Sequence, residues 1–148
     1  MTRDELERLD DKAMSAWDQH DVDAFASVFA DSFVWRDWTL PEPIRDRAGL
    51  NQYFGAWMTA FPDMRVKTAR RVIGDDSVAA EVEWTGTHTG PMAMGPAVIP
   101  PTGKAASGRG AYIAKVRDGK VVEFNSFPDV AGVMMQLGLI PQPTATGG

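Results

Sequence analysis

Cysteine is absent from this 148-residue chain, which excludes disulfides and thiol chemistry. Histidine is scarce: His20 and His88 are the only two. A zinc site would therefore lean on carboxylates, and no ligand pair has helical or hairpin spacing. Basic residues are outnumbered, with 15 Lys and Arg against 20 Asp and Glu and a formal net charge of −5. That balance argues against a general nucleic-acid binder. No apolar run approaches the roughly 20 residues of a membrane span, and the charged amino terminus lacks a signal-peptide core. The expectation is a soluble, cytoplasmic protein without membrane attachment. There is no internal repeat and no G-x-S-x-G nucleophile elbow. Gly103-Lys104 is not a phosphate loop, because Ala105 follows and no G-x-x-x-x-G-K frame precedes it.

What remains is ordinary globular material, 44% hydrophobic and 24% charged. We expect one domain over residues 1–140 and a loose tail over 141–148, read PQPTATGG. The periodicity predicts a helix over 3–19, with Leu6, Leu9, Ala13, Ala16 and Trp17 on one face. Asp21 should cap a short second helix. Aromatic and β-branched residues predict a strand over 33–38, and two prolines forbid regular structure over 39–46. The clearest amphipathic helix spans 47–61, with Leu50, Tyr53, Phe54, Trp57, Met58 and Phe61 inward. Strands follow over 64–73 and 77–89. In the second, Val78, Ala80, Val82 and Trp84 alternate against Glu81 and Glu83.

Residues 112–139 organise the rest. Asp118-Gly119 marks a hairpin between strands 104–117 and 120–127. Asp129 then opens a helix ending near Leu137, and capping alone accounts for it. Residues 90–103 form an apolar loop with four prolines and no charge. Such a loop should fold over an opening or pack against a second subunit. The element order predicts an α+β fold, a mostly antiparallel curved sheet wrapped around helices and enclosing a blind conical pocket.

Several phrases occur in one order along nearly the whole chain: Phe29-Ala30-Asp31, Ala60-Phe61-Pro62-Asp63, Gly86-Thr87-His88-Thr89-Gly90, Pro100-Pro101-Thr102-Gly103-Lys104, Asp118-Gly119-Lys120-Val121-Val122-Glu123 and Gln136-Leu137-Gly138. The sequence resembles the nuclear transport factor 2-like superfamily, and within it the SnoaL-like polyketide cyclase group. The resemblance implies a cystatin-like α+β cone, a small hydrophobic ligand and a homodimer. Its members include cyclases, isomerases, epoxide hydrolases, dehydratases and non-catalytic binders. Aldol-type cyclases of the group use an aspartate at the position of Ser126. The histidine they often carry after the DGKxxE glutamate is here Phe124, and a second one, on the strand over 104–117, is Tyr112. Ketosteroid isomerases share Phe-Ala-Asp, five residues, then Asp, which places their general base at Asp37. Their oxyanion-stabilising acid falls on Tyr112, and their catalytic tyrosine on Ala13.

Four residues are candidates for chemistry. Asp37 shares a strand face with Phe33 and Trp35; among aromatics, desolvation would raise its pKa toward that of a general base. In water it would instead be a strand-end aspartate beside Arg36 or Arg45. Tyr112 could donate to a developing enolate oxygen, or be a core tyrosine bonded to a backbone carbonyl. His88 could act as acid or base, but the plainer reading has it bonding the neighbouring loop. Ser126 could hold a ligand oxygen or a water. Trp35, Phe54, Trp84, Phe124, Met92 and Met94 are expected to line a pocket for a flat hydrophobic ligand, with Trp17 and Trp57 in the core. The leading expectation is an enzyme of the isomerase, cyclase or lyase kind, using no cofactor and no metal. Asp37 would remove a proton next to a carbonyl, under loop 90–103 as a lid. The alternatives are a non-catalytic ligand carrier or dimeric interaction protein, and a hydrolase activating a pocket-bound water.

Overall fold

A computed structural model describes residues 1–143. The first helix, α1 (Arg3–Asp18), opens on a capping box: Thr2 accepts from the Glu5 amide and Glu5 accepts from the Thr2 amide. Asp21 caps α2 (Val22–Ser27) through the Ala24 amide. Strand β1 (Phe29–Asp37) follows, then α3 (Arg47–Ala60), capped by Asp46 on the Gly49 amide. Strands β2 (Arg65–Ile73) and β3 (Ser77–Thr87) come next. A small hairpin, β4 (Met92–Met94) and β5 (Ala97–Ile99), precedes β6 (Ala105–Arg117) and β7 (Lys120–Pro128). The last element is α4 (Val130–Gln136), capped by Asp129 on the Gly132 amide.

Five strands form one curved, unclosed sheet in the order β1-β7-β6-β3-β2. All neighbours are antiparallel except β1 and β7, which run parallel. The β6–β7 connection is the expected tight turn, with Asp118 at φ 52° and Gly119 at φ 77°. The helices lie against the inner face. Phe25, Leu50, Phe54, Trp35 and Phe124 form the main core, and Phe61, Met64, Trp84 and Leu137 a second one near the hairpin.

Two expectations change. The first strand begins at Phe29 rather than Phe33, because Phe29 already pairs with Val121 before the register slips between Phe29 and Val34. Residues 90–103 are not a featureless loop. Gly95 turns at φ 56°, next to the fixed φ of Pro96, and lets Met92–Met94 pair with Ala97–Ile99.

Both outer strands are interrupted. Edge strand β2 bulges between Thr68 and Arg70. Edge strand β1 is bridged by Ile44, whose amide and carbonyl both bond Trp35 at 2.8 Å. The tail expected over 141–148 lies, from residue 144 onward, outside the described residues.

Candidate functional site

Alternation along β1 turns Phe33, Trp35 and Asp37 to the inner face. Parallel pairing with β7 sets Asp37 directly beside Ser126. The chain then turns back, with the Leu40 amide on the Asp37 carbonyl at 3.0 Å. That turn brings Thr39 under the Asp37 carboxylate. From the other side, α3 presents Tyr53.

Asp37 is 3% exposed, yet its carboxylate is fully solvated by protein. Oδ1 accepts from the Thr39 amide at 3.0 Å and from the Thr39 hydroxyl in a very short contact. Oδ2 accepts from the Tyr53 and Ser126 hydroxyls, each at 2.6 Å. Ser126 in turn accepts from Trp35 Nε1 at 2.8 Å. A carboxylate offers about four lone-pair sites, and all four are used here. Burial, reinforced by the adjacent Asp37 charge, pushes the Tyr53 phenol far above its ordinary range, so it remains a donor at neutral pH.

This cluster faces a cavity of ≈ 650 Å³ with the open solvent at its mouth included. Its walls are aromatic: Trp17, Trp35, Trp57, Trp84, Phe124 and the ring of Tyr112. Trp57 meets Trp84 edge-on at 5.6 Å, and Trp35 meets Tyr53 at 4.8 Å. Trp84 lies so close over Gly108 that a Cβ there would collide with its indole. Arg109 sits at the rim, 3.3 Å from Glu83. Asp37 is the only carboxylate on the cavity wall among the described residues. No group of three His, Cys, Asp or Glu that could hold a metal occurs among them.

Of the residues expected at the site, Asp37, Ser126, Trp35, Trp84, Phe124 and Tyr112 converge on this cavity, and Trp17 and Trp57, expected in the core, join them. Tyr112 contributes its ring, stacked on Phe124 at 5.1 Å, while its hydroxyl turns away and donates to Asp10 Oδ1 at 2.6 Å. The partner is a buried carboxylate on α1, not a backbone carbonyl. Asp10 is held by Arg71 at 2.7 Å, and Arg71 also reaches Asp11 at 2.7 Å. The Tyr112 hydroxyl is thus committed before any ligand arrives.

His88 lies outside the cavity and is completely buried. Its Nδ1 accepts from the Thr102 amide at 3.1 Å, and its backbone pairs with Gly103 and Lys104. Nδ1 is therefore unprotonated and Nε2 carries the hydrogen, with no partner among the described residues. Phe54 is core, 4.4 Å from Trp17. Met92 and Met94 border a separate outer groove. Sequence reasoning missed Tyr53 as a site residue. Its position on the apolar face of α3 was readable, but nothing local ties that face to Asp37.

The family model for SnoaL-like polyketide cyclases matches residues 7–137. No curated protein matches. Among solved structures, AclR from Streptomyces galilaeus, provisionally described as a hydroxylase, superposes with a TM-score of 0.84 at 23% identity, covering 97% of this chain and 87% of its own. IdmH from Streptomyces antibioticus, provisionally described as a polyketide cyclase, gives 0.74 at 24% identity, covering 89% and 97%. A protein of ketosteroid isomerase-like fold from Catenulispora acidiphila, in complex with trimethylamine, gives 0.72 at 14% identity, covering 93% and 97%. At these identities the structures speak for the fold alone, and the family rests on the sequence model: this chain belongs to the SnoaL-like polyketide cyclases.

Proposed function

We propose that this chain is a cofactor-free acid/base enzyme for a hydrophobic carbonyl compound. The observation carrying this reading is one buried carboxylate, Asp37, on an aromatic cavity, with two hydroxyl donors on a single oxygen. Asp37 takes a proton from the carbon next to the carbonyl. The electron pair of that C–H bond moves into an enolate, and Tyr53 and Ser126 hydrogen-bond to the enolate oxygen. Turning those two hydroxyls toward the substrate frees the lone pairs of Oδ2 for the incoming proton. Donor transfer and base activation are then one event. Returning the proton to a different carbon gives isomerisation; attack of the enolate carbon on a second carbonyl gives ring closure.

The donor role expected of Tyr112 passes to Tyr53 in this reading, because Asp10 holds the Tyr112 hydroxyl. A water-activating hydrolase is less well supported, since no second carboxylate faces Asp37 across the cavity among the described residues. One observation favours a ligand carrier without chemistry: every lone pair of Asp37 already has a donor.

The deciding test is deuterium entry next to the carbonyl of cyclic and polycyclic ketones in heavy water, followed by NMR. Wild-type protein should catalyse exchange and the Asp37→Asn variant should not. Ligands that bind without exchange in either protein would move the carrier reading ahead.

A further inference from the structure

The wall behind Asp37 has two faces. Tyr53 and Trp57 line the inner cavity on one side and an outer groove on the other. Thr39, which holds Oδ1, lines the same groove. The groove, ≈ 1460 Å³ with open solvent included, runs between α3, the β4–β5 hairpin and α4. Leu40, Ile44, Ala56, Met92, Met94 and Met134 supply its surface. No lining residue is charged, in a chain where 24% of residues are. Three of the six are methionines, whose flexible thioethers fit themselves to varied apolar shapes.

We propose that this groove is the outer subsite of the Asp37 centre and takes a neutral, hydrophobic arm of the ligand whose carbonyl end reaches Asp37. The proposal rests on the reading above and adds the ligand's shape to it. The shared wall argues for one extended ligand rather than a separate partner. Tyr53 and Trp57 line both spaces, and Tyr53 and Thr39, which line the groove, hold the Asp37 carboxylate. Absence of charge argues for a neutral arm, since a carboxylate or ammonium would be desolvated there without a counter-ion. The hairpin has a role on the same terms: β4 packs on α3 and forms the outer bank of the groove, not a cover over the inner cavity.

The test compares 1-tetralone with 6-hexyl-1-tetralone and a carboxylate-ended analogue of the latter. Each buried methylene is worth about fourfold in affinity. The hexyl arm should therefore tighten binding to wild-type protein at least tenfold, and the carboxylate should cancel that gain. Ala56→Trp fills the groove, and Gln52→Glu adds a charge at a lining position without added bulk. Both variants should melt cooperatively and lose the arm's gain, read as the ratio of the two ketones' dissociation constants. An equal ratio in wild type, or a gain that survives both variants, overturns the subsite. A change in sedimentation on Ala56→Trp with the gain retained would make the groove a self-association face and overturn it equally. Exchange of the 1-tetralone C2 protons separates the two proposals. Exchange with no gain from the arm sinks the subsite alone. A gain that Ala56→Trp removes, without exchange, sinks the chemistry and leaves an apolar ligand groove.

Discussion

Two tyrosines meet two buried aspartates in this protein, and they are not equivalent. Tyr53 and Asp37 stand at the cavity, whereas the Tyr112 hydroxyl and Asp10 point out of it. Tyr53→Phe should lower ketone exchange by roughly a hundredfold, the usual cost of one oxyanion donor. Tyr112→Phe should leave exchange within a small factor, yet lower stability by about 1–3 kcal/mol, because Asp10 loses its donor. Urea unfolding of both variants beside the exchange assay separates the roles. Asp10 also has a pH signature. Burial raises its pKa, and pairing with Tyr112 and Arg71 only partly offsets this. Arg71 is also opposed by burial, but Asp11 and Asp10 together keep its pKa above the ordinary value. The folded state therefore binds the Asp10 proton more tightly than the unfolded chain does. Its contribution is greatest below the ordinary carboxylate range and declines as pH rises through the folded pKa. Asp10→Asn should remove that decline, so its stability relative to wild type should increase from acid toward neutral pH. Neither pairing was legible in the sequence. Asp10 and Tyr112 are 102 positions apart, and no local pattern reports such a contact.

At the scale of elements, helix periodicity and turn chemistry were readable because each is local. The face of α3, the Asp21 and Asp129 caps and the Asp118-Gly119 turn all follow from neighbours within four residues. The β4–β5 hairpin was not readable, because strands of three residues, Met-Ala-Met and Ala-Val-Ile between flanking prolines, are too short to carry a usable alternation. Its stem is fixed tightly. The Gly90 backbone presses on the Thr59 carbonyl so closely that a Cβ would collide with it, and the Gly90 amide bonds Ala60. Below the stem, His88 ties both Thr102 and Gly103. Gly90→Ala should push the stem off α3 without unfolding the domain. Limited proteolysis should then cut within 91–101 faster than in wild type; equal cutting would mean that the stem tolerates the displacement.

For the whole molecule, the outer sheet face offers exposed apolar side chains. Ile113 and Val72 belong to one row across β6, β3 and β2, while Trp38 stacks on Phe127 at 6.1 Å. The homodimer expected from the resemblance would use this face. Sedimentation velocity should give twice the chain mass, and Ile113→Glu should return it to the monomer. A wild-type monomer at assay concentrations would remove that expectation. The edges lead to a different conclusion. A bulge breaks the hydrogen-bond spacing of β2, and the charged side chains of Arg65, Lys67 and Arg70 stand along it, the first two paired with Asp18 and Glu83. Ile44 occupies the free side of β1 at Trp35. Neither border is a template on which another strand could continue the ladder. Both borders thus oppose runaway strand-by-strand growth from the five-stranded sheet and leave its flat face for the homodimer expected above.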